Sequence, residues 1–107
     1  MEWIRLRDRA RYDDAKMARH RLTGTERCQA DLYCLKPGQS QPAHAHADQD
    51  KLYLGVEGVG RIRVGGEEQR LEPGVLVLAP AGVEHGLSNP GDAPLVVLAV
   101  VVPPPKH

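Results

Sequence analysis

The sequence predicts an all-β domain, built as a sandwich or a barrel. Three observations lead there. Short apolar or alternating runs recur at intervals of roughly 8–12 residues, with turn residues between them. Eleven Gly and nine Pro supply those turns. Residues 27–102 carry no sustained helical period, and the candidate core is eleven Val and twelve Leu with no Phe, a set that packs well on a pleated surface.

Residues 1–26 are expected to be an N-terminal arm packed on the barrel. Residues 1–27 hold eight Lys/Arg and five Asp/Glu, against six and nine in the remainder, and every proline lies at position 37 or later. Within the arm, Ile4 to Arg7 alternates as a short strand would, and Asp13–His20 reads as a helical turn or a second strand. From Arg27 to Leu35 the alternation puts Cys28, Ala30, Leu32 and Cys34 on one face and Gln29, Asp31 and Tyr33 on the other. Pro37 and Gly38 end that run, His44 to Val56 carries the next, and Gly58 and Gly60 interrupt it. Arg61–Val64 then alternates strictly, and Gly65-Gly66 is a two-residue hairpin turn into Glu67–Leu71. Pro73 and Gly74 open the apolar run Val75–Ala79, which Pro80, Ala81 and Gly82 close. His85–Ser88, the turn Asn89–Asp92 and the apolar run Leu95–Val102 follow. The barrel is therefore expected over residues 27–103, with 104–107 a proline-rich tail unable to pair in a sheet.

A chain of 107 residues has room for one domain. Fourteen basic against fourteen acidic residues give zero formal net charge, which argues against a nucleic-acid binder. The longest apolar run, Leu95–Val102, has eight residues, well short of the roughly 18 that suggest a bilayer span. Met1–Arg5 lacks the apolar stretch of a secretory signal. The expectation is a cytoplasmic protein with neither nucleic acid nor membrane as partner. Cys28 and Cys34, if on one strand, lie about 20 Å apart, too far for a disulfide. Two core thiols in a reducing compartment is one reading of them, and a reactive thiol is the other.

Three of the five histidines sit in suggestive company. His44 and His46 are separated by one residue, so on a strand both project from the same face and can reach one metal ion. An exposed turn would carry the same pair. The wider spacing is more specific. Gly38, His44, His46, position 51 and Gly58 are separated by five, one, four and six residues; Gly74, Pro80, Gly82, His85 and Asn89 by five, one, two and three. These are the spacings of the two cupin motifs, and a gap of 15 residues separates them. On residues 27–103 the sequence resembles a small single-domain cupin of the conserved-barrel type, which implies a jelly-roll barrel, or double-stranded β-helix. Such proteins hold one divalent transition metal inside the barrel on two histidines and a glutamate of the first motif and one histidine of the second. By that resemblance His44, His46 and His85 are metal ligands, and Zn, Fe, Mn or Ni is the implied cofactor.

The glutamate does not carry over, because Lys51 stands at its position, preceded by Asp50. A charged ammonium has no lone pair for a metal. Three imidazoles could bind the ion alone and leave open positions for water or substrate. Asp50 could supply the carboxylate after a one-residue slip, at the cost of turning its neighbours to the opposite face. Alternatively, Lys51 could take the metal's place and present its charge to an anionic ligand among the histidines. A lysine at a solvated rim, paired with Asp48 or Asp50, is the structural alternative. If position 51 faces inward then so does Tyr53, as a ligand contact or as a packed core residue. Gly58, Gly74 and Gly82 are expected at positive φ, Asn89 in a turn that bonds its own backbone, and His20 and His107 in solvent.

There is no phosphate-binding Gly-x-x-x-x-Gly-Lys loop and no Gly-x-Ser-x-Gly elbow. Two classes of function remain. One is a metal-dependent enzyme acting on a small molecule, its reaction unspecified by the family. The other is a metal-free binding module for a small anionic ligand, with Lys51 in place of the usual glutamate. A homodimer is expected in either case, formed through sheet edges or through Trp3–Leu6, because a chain this short buries only a modest share of its surface alone.

Overall fold

The computed structural model describes residues 1–105, so the end of the expected tail, Lys106 and His107, lies outside the described residues. A short 3-10 turn, Leu6–Arg9, precedes nine strands: β1 Ala18–Gly24, β2 Gln29–Leu35, β3 Ser40–His44, β4 Asp50–Glu57, β5 Gly60–Val64, β6 Glu67–Leu71, β7 Leu76–Ala79, β8 His85–Ser88 and β9 Leu95–Val102. They form two antiparallel sheets, ordered β1-β2-β9-β4-β7 and β3-β8-β5-β6. The all-β expectation holds. Among the described residues no helix is long and apolar enough to cross a membrane.

Strand identity follows from the turn chemistry. Val64 pairs directly with Glu67, so Gly65-Gly66 is the two-residue turn that the spacing demanded. Gly58, Gly74 and Gly82 take φ of +77°, +90° and +79°, a region that side chains with a Cβ disfavour. Asn89 is 1% exposed. Its Oδ1 accepts the Gly91 N–H, and its amide donates to the Leu35 and Ala93 carbonyls at 3.0 and 2.9 Å. That side chain ties the end of β8 to β2 and to the turn before β9.

The run Leu95–Val102 is apolar throughout because β9 is buried on both faces. It lies between β2 and β4. Leu95, Val97 and Ala99 point between the sheets, where they pack with Tyr33, Leu35, Tyr53, Ile62, Leu71, Ala79 and Leu87. On the outer face, Val96 joins Ala18, Leu22, Leu32 and Cys34, and Ile4, Leu6 and Ala10 of the N-terminal segment pack over them. Cys34 is thus a buried free thiol under the arm, while Cys28 is an exposed free thiol. The core-thiol reading therefore fits Cys34 but not Cys28, which sits before β2 begins.

Of the segment 1–26 read as an arm, residues 18–24 are strand β1, paired with β2 from Ala18↔Cys34 to Gly24↔Gln29. The alternation at Ile4–Arg7 does not make a strand; its apolar members instead anchor an irregular segment onto the sheet. His20 is half-buried rather than in solvent, and its Nε2 lies 3.0 Å from the Arg11 carbonyl.

Candidate functional site

β3 and β8 build the histidine cluster. His44 and His85 face each other across the ladder, beside the irregularity between Gln41 and His44. His46 lies just past the end of β3, and the Gly82 N–H donates to its carbonyl at 2.8 Å. The glycine of the second motif therefore fixes the second histidine of the first. Ring centres are 4.3 Å apart for His44 and His85, 4.9 Å for His44 and His46, and 6.2 Å for His46 and His85.

Hydrogen bonding sets which nitrogen each ring presents. His44 Nδ1 lies 2.9 Å from the Pro42 carbonyl and His85 Nδ1 lies 3.0 Å from the Val83 carbonyl. A carbonyl only accepts, so both Nδ1 atoms carry the proton and both Nε2 atoms keep a lone pair in the neutral rings. This is the arrangement that orients imidazoles toward a metal. His85 is 2% exposed, and its Nε2 is buried with no hydrogen-bond partner among the described residues. Burial lowers the His85 pKa and so favours the neutral ring, and the Val83 bond offsets part of that shift. Desolvation and the neighbouring His44 lower that of His46.

Donor chemistry fits a divalent transition metal, with one adjustment. Ring centres about 3.2 Å from a shared ion would stand about 4.5–5.2 Å from one another. Two of the three pairs are at or close to that spacing, and the His46–His85 pair is wider. Among the described residues, no three His, Cys, Asp or Glu side chains meet as a ready-formed metal site. His46 is the exposed member of the trio, so a shared ion requires its side chain to turn toward His85.

Lys51 is inside the barrel. It is 4% exposed, which removes the solvated-rim reading. Its Nζ lies 4.8 Å from the Tyr33 ring centre and 5.2 Å from that of Tyr53. Among the described residues it forms no ion pair. Burial, and then the nearby Arg19, push its pKa down to about 8, while Asp31 pulls the other way. Asp50 cannot replace the missing carboxylate: it alternates away from Lys51, and its Oδ1 accepts the Ala81 N–H at 2.9 Å. Tyr53 is fully buried, with its hydroxyl donating to Gln41 Oε1 at 3.1 Å and its ring centre 5.9 Å from that of His85. It is both a packed core residue and a wall of the histidine cluster.

Beside this cluster a second group of polar residues lines a pocket of about 450 Å³: Arg19, Arg21, Gln29, Asp31, Tyr33, His46, Gln49 and Lys51 among them. Arg19 and Arg21 escape a reading of the sequence that treats β1 as part of an arm. Their alternation with His20 and Leu22 is the signal that they share a face.

A family model described as a cupin domain matches residues 31–101. The TT1209 protein of Thermus thermophilus, known from its crystal structure, is 44% identical with a TM-score of 0.95, covering 98% of this chain and 100% of that one. An RmlC-like cupin from Desulfovibrio desulfuricans, 24% identical, superposes with a TM-score of 0.87 over 98% of this chain and 99% of its own, which shows a shared jelly-roll fold. The tetracenomycin polyketide synthase protein TcmJ of Streptomyces glaucescens is 36% identical over 69 residues, 64% of this chain. The matched region spans 46% of that relative's length.

Proposed function

The chain belongs to the cupin domain family, and from that premise we propose that it binds a divalent transition metal through His44, His46 and His85 and uses the ion to hold a small molecule at the polar end of its barrel. The observation that carries this reading is the buried, unpartnered Nε2 of His85, whose lone pair is fixed by the Nδ1–H bond to Val83. A buried nitrogen without a partner costs about 1–3 kcal/mol, and a metal ion would supply the missing partner. Of Zn, Fe, Mn and Ni, an imidazole donor set suits Zn, Fe and Ni best, since Mn favours oxygen ligands. When bound, such an ion polarises an oxygen-bearing ligand or lowers the pKa of a bound water. The residues of the chain would do the rest: Val83 and Pro42 orient two imidazoles, Tyr53 and Gln41 wall the cluster, and Lys51 places a positive charge next to it.

A second reading rests on Lys51 itself. A buried cation with no carboxylate partner among the described residues suits a metal-free module in which the lysine meets a small anion. The two readings separate on heating. Adding Zn²⁺ or Ni²⁺ at about 100 times its dissociation constant is expected to stabilise the chelator-treated protein by about 2.7 kcal/mol, a rise in Tm of roughly 10 °C or more. In His85→Ala the rise should vanish. A wild-type Tm that ignores Zn²⁺, Mn²⁺, Fe²⁺ and Ni²⁺ alike would favour the metal-free module.

A homodimer belongs to the same proposal. Trp3 is 74% exposed, and Leu76 and Leu78 on the edge strand β7 are 62% and 54% exposed, a burden that self-association relieves. Light scattering should give twice the chain mass of 11.7 kDa, and removal of residues 1–10 should shift the protein toward monomer or aggregate. A monomeric wild type, or a truncation with unchanged elution and Tm, would contradict it.

A further inference from the structure

The pocket lined by Arg19, Arg21 and Lys51 has an electrostatic character that the chain as a whole lacks. The protein has zero formal net charge, yet these three cations converge with one carboxylate, Asp31, as counter-charge. Strand register brings them together. Arg21 pairs with Asp31 and Arg19 with Tyr33 across β1 and β2, Gln29 pairs with Val101, and Val101 pairs with Lys51 across β9 and β4. Period-two geometry then turns all of these side chains to the same, inner face. Asp31 is committed in part, since it accepts the Gln29 amide at 2.9 Å. Neither arginine forms an ion pair among the described residues.

Two deeply buried groups in the wall are incompletely partnered. Among the described residues Lys51, 4% exposed, forms no ion pair, and the fully buried Tyr33 hydroxyl lies near Gln41 and Arg19 without a hydrogen bond of full geometry. Burial pushes the Tyr33 phenol up to about 12, so it stays a donor at neutral pH. The floor of the pocket therefore offers an ammonium and a phenolic O–H, and its rim offers two guanidinium forks. Every one of these is a donor suited to anionic oxygen. A volume of about 450 Å³ suits a small metabolite. His46 borders both this pocket and the histidine cluster.

We propose that the pocket is the anion-binding half of the ligand site and takes a small organic dianion, one oxyanion group reaching Lys51 and Tyr33 at the floor and the other held by Arg19 and Arg21 at the rim. Two negative charges match the excess of three cations over one carboxylate. The inference rests on the reading of this barrel end as a small-molecule site, and it adds the ligand's charge and the two β1 residues that select it. It holds with or without a metal on the histidines.

Calorimetric titration with malonate and with inorganic phosphate tests it, with malonamide as the neutral control. Wild-type protein is expected to bind malonate saturably, to bind phosphate more weakly and to ignore malonamide. Arg19→Gln and Arg21→Gln, which change exposed side chains and leave the core intact, should each weaken that binding about tenfold or more; Lys51→Met should abolish it. Malonate bound more tightly than phosphate supports the proposal; phosphate bound as tightly as malonate or more tightly would show a single oxyanion subsite and overturn it. No binding of either anion, or arginine variants that bind as wild type does, would overturn it. The Zn²⁺ melting experiment keeps the two readings apart. Anion binding without a metal response removes only the metal, and a metal response without anion binding removes only the dianion.

Discussion

Replacing Lys51 with methionine is expected to stabilise the metal-free protein by about 3 kcal/mol at pH 7. The lysine is 4% exposed, forms no ion pair among the described residues, and titrates at about 8 in place of 10.5. A base whose folded pKa is lowered binds fewer protons folded than unfolded between those two values. Folding stability therefore rises with pH through that window, and the penalty is fully present below pH 8. Methionine fills a similar volume without charge, so the variant should lead wild type by about 3 kcal/mol at pH 7 and by less than about 1 kcal/mol at pH 10. The tyrosines titrate in both proteins and largely cancel in the difference. Contacts with the faces of Tyr33 and Tyr53 offset part of the cost. Urea unfolding at the two pH values reads the effect directly. A methionine variant no more stable than wild type at pH 7 would show that the ammonium is compensated in the folded protein. A cation kept inside at such a cost is what a ligand site, rather than a packed core, requires.

Gly55→Ala should be among the most damaging small substitutions in the barrel, costing about 3 kcal/mol or more. Gly55 sits on β4, and a Cβ there would lie 2.0 Å from the Glu72 carbonyl oxygen and 2.5 Å from its carbon. The neighbour is backbone and cannot rotate away. It is held in place because the Gly55 N–H donates to Val75 and the Gly74 N–H donates to Gly55. To admit the methyl group, β4 must separate from the Glu72–Val75 turn, and Tyr53 and Lys51 move with the strand. Urea unfolding is expected to show the loss, or the variant to appear insoluble. Gly66→Ala is the control: a Cβ there meets nothing within 4 Å, so a change within about 0.5 kcal/mol is expected. A Gly55→Ala protein within about 1 kcal/mol of wild type would mean that the turn is softer than its hydrogen bonds imply.

The barrel and its histidines could be read from the sequence because both depend on fixed spacings. Turn glycines and prolines punctuate the strands, and the motif intervals place His44, His46 and His85 before any coordinate is known. The inward direction of Lys51 was harder. Period two fixed its relation to Tyr53 but not whether the pair faced the core, and an exposed fraying strand would have had the same residues. β1 was legible only in part, its first residues falling in the Asp13–His20 segment read as a helical turn or a second strand, for a physical reason. Its inner face carries Arg19 and Arg21 because it borders an open pocket, so the apolar alternation that marks a strand survives only at Ala18 and Leu22. Ile4 and Leu6 misled in the opposite sense, since residues two apart can anchor an irregular segment on a sheet as well as alternate along a strand. Arg21 and Asp31 belong to strands whose register depends on the irregularity between Arg21 and Thr23. That shift has no sequence signal of its own.

If three imidazoles share one ion, the metal content of the protein must follow His85. Inductively coupled plasma mass spectrometry on untagged protein, alongside His85→Ala, reads this directly. Close to one transition-metal ion per chain is expected in wild type and almost none in the variant. Wild-type protein that stays empty after incubation with Fe, Mn, Ni and Zn, or a variant that keeps its metal, would contradict the shared ion.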